Sequence, residues 1–516
     1  MKRAAAIFVI FVTFALSAVA ESPGAEQGLR VLTRDTTAIG GPAERHGRGF
    51  AARTGIAVSV DRLPFERLYE RIMVGFVTGE LPYDVLLIPS AWLPDFAPYL
   101  SPVPERLLQA PVVTGIEPIY RDALMRWRGR WMALTIDGDL HLGAYRRDLF
   151  EAADVRRAFR ARSGRALAPP RTWAEYLEVA VFFHGLALPE DGASAHPLAG
   201  TLEAYRRGGQ RVWYLFSHAA AYASHPGHPG GMFFDPDSME PAVDNPAWVR
   251  ALTEFLSLMQ DGPADARELD SEAVRRRFAA GAAAMNIDWA DTGVLAGDAR
   301  SSTIAGKVGF FPLPGSREAW NPATGAWDRL AEPRSVTFLA FGGWIGVVPA
   351  ASESRGRAWD YLAWYASPTH SAVDALDGTT GINPYRGSHL RDAAPWRKLL
   401  GAEQAADYLG VLRASLDAEQ VARDLRLPGW RAYIAALEDQ LDRVLEGEVT
   451  PEAGLTAAAD AWDALTDRLG RESQRRHYRE AMGLPRAPRA AVPTADPCAG
   501  SRSRAHCAHG QPGESP

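Results

Sequence analysis

The chain has 516 residues and a net charge of −6 from 56 Lys and Arg against 62 Asp and Glu. That length exceeds what one hydrophobic core organises, so two lobes are expected, and balanced charge argues against nucleic acid as the partner, where a basic face is the footprint. The only two cysteines, Cys498 and Cys507, lie at the C-terminal end, where a disulfide formed in an oxidising compartment would say little about the fold.

Residues 1–20 place Lys2 and Arg3 ahead of an apolar run from Ala4 to Ala15 and end in Ala18-Val19-Ala20. Charge, a short apolar stretch and small residues before a cut make an export signal, whereas a membrane anchor wants about 20 apolar residues. No Cys follows to carry a lipid, so a free periplasmic protein starting at Glu21 is expected, monomeric and without a cofactor.

From there, strand and helix signals alternate. Residues 29–35, 56–60 and 83–89 read as strands, and Phe65, Leu68, Ile72 and Phe76 form the stripe of an amphipathic helix that Gly79 ends. Alternation of this kind implies a parallel sheet with helices on its faces, and ligands on such sheets gather at the carboxyl ends of the strands. Those ends carry Asp35, Thr36 and Ser90 as candidate ligand-binding residues. Residues 131–137 and 140–145 read as two more strands broken at Gly138. Thr172 and Glu175 form a capping box, and Asn245 with Pro246 starts another helix, with Trp248, Leu252, Phe255 and Met259 as its buried stripe. Between those helices, residues 185–239 read as loops around one helix near Trp213. Strand signals return at 307–314 and 335–349. A helix carrying Ala358, Tyr361, Leu362 and Tyr365 stops at Ser367-Pro368, and Thr450-Pro451 opens one with Ala458, Trp462, Leu465 and Leu469 on one face. Beyond residue 487 periodicity disappears and disorder is expected.

Several strings occur in a telling order: FAARTGIAVSV, YDVLLIP with AWLPDFAPYLSPV after it, DLHLGAYRRDLFE, PRTWAEYLEVA, RRRFAAGAAAMNIDW, KVGFFPLPG, FGGWIGV and GINPYRGS. Together they resemble the extracellular solute-binding proteins of carbohydrate ABC importers, the group that includes maltose and trehalose binders. The resemblance implies an α/β, two-lobed periplasmic binding protein fold (type II-like), with a hinge of crossing strands and a ligand cleft between the lobes. It places residues 21–137 plus 288–344 in the N-terminal lobe, 138–287 plus 345–486 in the C-terminal lobe, and 487–516 in a tail. It also implies capture of a sugar or polyol by hinge closure, delivery to a membrane permease, and no catalysis.

A sugar presents hydroxyls at its edge and C–H groups on its faces, so its pocket needs a few placed polar groups among aromatic walls. Asp139 falls where the family places an acid that accepts sugar hydroxyls, and Asp137, two residues earlier, points to the same side of an extended strand. The alternative for both is a turn whose carboxylates cap backbone amides. Trp289, with Asp288 beside it, matches the family's stacking aromatic. Trp344 follows Gly342-Gly343, which allow close backbone approach, though a Trp is as readily core. Arg386 resembles a family arginine that reaches into the cleft; a salt bridge across the lobes is its alternative.

Two other classes compete. Asp137 and Asp139 would serve a glycoside-processing enzyme as acid and base, but such carboxylates straddle the scissile bond, which two residues on one strand edge suit poorly. GRGFAA (47–52) formally matches a dinucleotide fingerprint without directly following a strand. A metal or chelate site would draw on His218, His225 and His228, with His184 and His196 nearby, but zinc needs a tetrahedral set held by outer partners.

Overall fold

The computed structural model describes residues 28–186 and 198–485. The expected leader, His196, and the tail with Cys498 and Cys507 lie outside the described residues. Among those described, no helix is long and apolar enough to cross a membrane.

Two sheets organise the chain. The first runs Val58–Leu63, Leu29–Arg34, Val85–Pro89, Trp344–Pro349, Leu100–Ser101, with Leu134–Thr135 also paired to Trp344–Pro349. Its first three strands are parallel and Trp344–Pro349 enters antiparallel. Val85–Pro89 is buried along its whole length, as the continuous apolar run of a strand covered on both faces should be. The second sheet runs Val308–Pro312, His141–Arg146, Ala283–Trp289, Ala199–Leu202.

The helices follow their local signals. Phe65–Thr78 buries Leu68 and Ile72, and Gly79 ends it in the left-handed conformation at φ 76°. The Thr172 hydroxyl accepts the Glu175 amide at the start of Trp173–Phe183, and Asn245 accepts two amides at the start of Pro246–Leu258. The region 185–239 holds its expected helix, Arg211–Ala223, buried at every residue. It also holds the strand Ala199–Leu202, which has no alternating pattern to announce it. Ser367 stops one helix and caps the next, Pro368–Ala375.

Strand pairing corrects the expected lobe boundaries. Residues 288–344 do not return to the first sheet as a block, because Val308–Pro312 pairs with His141–Arg146 in the second. Two glycines fix that pairing: a Cβ on Gly143 would fall 2.1 Å from the Phe311 ring, and one on Gly309 would fall 2.3 Å from the Tyr145 ring. Each glycine lies opposite the residue whose ring covers it. The return to the first sheet begins at Trp344–Pro349, and Arg355–Tyr365 then packs on Gly40–Thr54 in the same lobe. Ala402–Leu416 packs back on Val308–Pro312, and Trp430–Leu445 packs against Pro451–Leu469, which meets Pro246–Leu258. The chain therefore passes between the sheets near residues 136–140, 340–343 and 391–393.

Candidate functional site

The first two crossings touch. The amides of Ile136 and Asp137 donate to the Trp344 carbonyl at 2.9 and 3.2 Å. Gly343 lies so close that a Cβ there would fall 2.1 Å from the Asp137 carbonyl oxygen, and its φ of 124° is one that only glycine adopts without strain. On this support Asp137 and Asp139 turn to the same side and share one amide. Asn383 Nδ2 donates to Asp137 at 3.1 Å and to Asp139 at 2.7 Å, and its backbone N–H donates to Asp137 at 2.6 Å. The Asn383 side-chain Oδ1 accepts the Asp291 backbone amide at 2.7 Å. The second oxygen of each aspartate receives no donor from the rest of the protein, and the two carboxyls hydrogen-bond each other. Burial raises the Asp137 carboxyl to about 7, and burial with the adjacent Asp137 charge holds Asp139 well above the usual carboxylate range.

Two cations and three aromatic rings close the space around these acids. Arg275 pairs with Asp291. Arg34 lies over the Trp344 ring at 5.7 Å, its Nε has no hydrogen-bond partner, and burial, then Arg275, lower its pKa to about 10. Trp289 stacks on Phe341 at 5.4 Å and leaves its Nε1 unpartnered. The inner chamber bounded by these groups is a narrow cavity of about 20 Å³. On the other side of Gln210 an outer chamber of about 240 Å³ is walled by Phe65, Tyr69, Trp92, Trp213 and Trp430.

Four of the nine predicted residues meet here: Asp137, Asp139, Trp289 and Trp344 all line the inner chamber. Five do not. Asp288 is buried but turned to the Tyr214 hydroxyl at 3.0 Å and its neighbour's amide at 2.8 Å. Ser90 spends its hydroxyl on the Phe341 carbonyl at 2.6 Å. Asp35 is exposed, and Thr36 bonds the Ala38 carbonyl at 2.7 Å; the residue of that strand end facing the chamber is Arg34. Arg386 neither reaches the cleft nor forms the salt bridge offered as its alternative. Its Nε donates to Ser371 Oγ, Nη1 to the Pro111 carbonyl, and Nη2 to the carbonyls of Val112 and Ala366, so it straps two segments of the first lobe together. Arg386→Met is expected to destabilise the protein by about 3 kcal/mol, because buried carbonyls lose a charged donor. Solute affinity should stay within about threefold; chemical denaturation and calorimetry on one preparation test both halves.

Sequence reasoning missed Arg34, Gln210, Arg275, Phe341 and Asn383, which converge from distant segments. A pattern was available only for Arg34, since Leu32 and Arg34 share a face of their strand.

The competing chemistries fare differently. Asp137 and Asp139 converge on one amide instead of facing each other across a gap. His218 pairs with Glu203 at 2.9 Å and stacks on Trp173 at 3.6 Å, inside the second lobe. His225 bonds Asp328 at 3.0 Å, and His184 is exposed. Among the described residues no three His, Cys, Asp or Glu side chains are placed to hold a metal ion together.

The buried acids make stability depend on pH. Burial raises Asp288 and Asp424 to about 7, while carboxyls of an unfolded chain titrate near ~3.9. Between those values the folded state binds more protons, so its stability falls as pH rises, by up to ~1.4 kcal/mol per pH unit for each such group. The ligand-free protein is therefore expected to melt higher at pH 5 than at pH 8. Asp288→Asn should shrink that difference; a melting temperature rising steadily from pH 5 to 8 would contradict the assignment.

Comparison with known proteins gives one consistent picture. The sequence model described as bacterial extracellular solute-binding protein matches residues 33–371. A probable amino-acid ABC transporter periplasmic-binding protein of Sinorhizobium fredii is 23% identical over 389 residues, 73% of this chain and 78% of that one. Among solved structures, an ABC transporter solute-binding protein of Agrobacterium radiobacter K84 in complex with ribitol superposes with a TM-score of 0.67 at 20% identity, covering 85% of this chain and 99% of that one. Maltose-bound MalE3 of T. maritima gives the same four values. These likenesses place the fold among two-lobed periplasmic solute-binding proteins.

Proposed function

As the chain belongs to the bacterial extracellular solute-binding protein family, we propose that it is a periplasmic receptor that closes on a sugar or polyol and presents it, unaltered, to an ABC permease. The observation that carries this reading is the inner chamber. It is built on the crossing segments themselves, so anything held there bears on both lobes. Asp137 and Asp139 each offer a carboxyl oxygen that receives no donor from the rest of the protein, Arg34 a free Nε, and Trp289 and Trp344 their indoles. A polyhydroxylated solute donates to the carboxylates, accepts from the guanidinium and lays its C–H face on a ring. The acid pair retains a proton near neutral pH, so hydrogen bonds to the Arg34 cation and to the ionised member of the pair at roughly 1.5–3 kcal/mol each, a neutral one at about 1 kcal/mol and a stacked ring reach about 7 kcal/mol, on the order of a ten-micromolar dissociation constant. The solute must favour the closed state over the open one for closure to signal occupancy.

The relatives supply the first probes: ribitol, D-mannitol, tagatose and maltose are bound in their structures. A solute at a hundred times its dissociation constant should stabilise the protein by about 2.7 kcal/mol, visible as a rise of a few degrees in Tm, and should be recovered chemically unchanged. A second reading, an amino acid as solute, draws on the name of the Sinorhizobium relative and on Arg34 facing two carboxylates in one chamber. Amino acids therefore belong in the same screen. A response to amino acids and to no sugar or polyol would replace the first reading.

A further inference from the structure

Among the described residues, Gln210 alone lines both chambers. It precedes the helix Arg211–Ala223 at φ 78° and gives that helix no side-chain cap. The left-handed region costs a Gln more than a Gly or an Asn, and Gly208 and Gly209 stand just before it, so the turn does not call for this side chain. Backbone strain that brings the helix nothing marks a functional position. The Ser271 hydroxyl donates to Gln210 Oε1, which fixes the carboxamide, and among the described residues Nε2 has no hydrogen-bond partner. Gln210 is 6% exposed, so a nearly buried donor stands unused at the junction of two cavities.

Its neighbours without partners are of the same kind. Arg34 Nε and Trp289 Nε1 on the inner side, and Trp92 Nε1 and Trp430 Nε1 on the outer, are all N–H donors. The inner chamber, at about 20 Å³, has room for about one water. A solute therefore places a single polar group beside the acid pair and its body on the far side of Gln210, in the outer chamber of about 240 Å³. We infer that Gln210 is a specificity-determining residue: its Nε2 donates to a solute oxygen at the junction, selecting solutes that present hydroxyl or ether oxygen there over solutes that present ammonium. An oxygen satisfies the buried donors, whereas an ammonium group has only N–H bonds of its own to offer and leaves them unpaired, a penalty that rejects the wrong solute. Arg34 and Arg275 line the inner chamber with the acid pair, so its carboxyls do not by themselves call for a cation. Ser271 acts through Gln210, as the positioning residue that keeps the donor end of the carboxamide turned to the solute.

This inference rests on the sugar or polyol receptor reading, and the experiment separates the two. Wild-type protein, Q210G, Q210E, Q210N and S271A are melted, and titrated by calorimetry at pH 7 with D-mannitol, ribitol, glucose and maltose, then with glucosamine and 1-amino-1-deoxymannitol as the ammonium-bearing solutes. Wild type is expected to bind its best neutral solute at least tenfold tighter than either amine. Q210G should lose about tenfold in affinity for that solute, the upper end for one neutral hydrogen bond, while melting no lower than wild type because the positive φ is relieved. Q210E keeps the Ser271 bond but turns an acceptor to the solute. It should lose at least thirtyfold for the neutral solute and narrow the preference over the amines at least tenfold. Q210N, one methylene shorter, and S271A, which frees the carboxamide to turn, should fall between wild type and Q210G. Affinities of Q210G and Q210E within twofold of wild type would overturn the role of Gln210. So would a fall in the Q210G melting temperature that matches its loss of affinity, an unchanged preference over the amines in Q210E, or wild type binding an amine as tightly as its best neutral solute. The receptor stands in each of those cases, since neutral solutes still bind. Failure of wild type to bind any carbohydrate would remove the receptor reading and this inference together.

Discussion

Asp139→Ala is expected to weaken solute binding about 100-fold while leaving the ligand-free protein as stable as wild type, or more so, at pH 8. Asp139 is 3% exposed, and one of its oxygens receives no donor from the rest of the protein. A hydrogen bond from a solute hydroxyl to such a carboxylate contributes roughly 1.5–3 kcal/mol, and each 1.4 kcal/mol is about tenfold in affinity. The truncation also takes one acceptor from Asn383 Nδ2, which then holds Asp137 alone and loses orientation. Stability moves the other way because a buried carboxylate beside another is an electrostatic burden at alkaline pH, and deleting it relieves Asp137. Asp139→Asn should fall between, keeping the shape but offering a donor where the solute also offers one. Calorimetry and melting curves at pH 8 check the pair. Equal loss of affinity and stability would mean that Asp139 is part of the scaffold, and affinity within threefold of wild type would take it out of the site.

What the sequence reveals here, and what it hides, follows from the range of the interactions. Leu68, Ile72 and Gly79 are legible because helix period and helix end are local, and so are the caps at Thr172 and Asn245. Asp139 and Trp289 are legible through the strings that contain them, and Asp137 through the two-residue spacing that puts it on the same side as Asp139. Asp35 misleads for a local reason: the strand end points at the cleft, but neighbouring side chains on a strand face opposite ways, and the chamber side belongs to Arg34. Arg386 misleads for a global one. Its fork is as apt for backbone carbonyls as for a solute, and nothing near it in sequence tells that residues 111 and 112 have folded against it. Gln210, Asn383 and Phe341 carry no local signal, because their roles arise only where segments distant in sequence converge. The lobe boundary fails likewise, since a strand pattern does not name the sheet it joins; Gly143 and Gly309 decide that by accepting each other's neighbouring rings.

Arg426→Met is expected to open the two lobes. Arg426 follows Val421–Arg423, a strand paired with Thr337–Leu339 on the side of the second sheet, yet its guanidinium donates wholly to carbonyls of the first lobe. Nε reaches Ser90 at 3.2 Å, Nη2 reaches Leu124 at 3.1 Å and Arg126 at 2.9 Å, and Nη1 bonds Ala123. Burial, then the Arg423 charge, lowers its pKa to about 9, so the cation is kept in place by those carbonyls. Methionine fills similar volume and makes none of these bonds. In the open form water solvates the freed carbonyls, whereas in the closed form they stay dry and unpaired, so the closed state loses about 3 kcal/mol. Apparent affinity falls with the closed population, by about 100-fold on that figure. Small-angle scattering should show a larger radius of gyration for the variant, and saturating solute should restore the wild-type value. A radius of gyration and affinity both equal to wild type would show that the remaining contacts between the lobes, among them Gly429 with Asp95 at 2.7 Å and Gly129 with Glu480 at 3.1 Å, hold them together without the arginine.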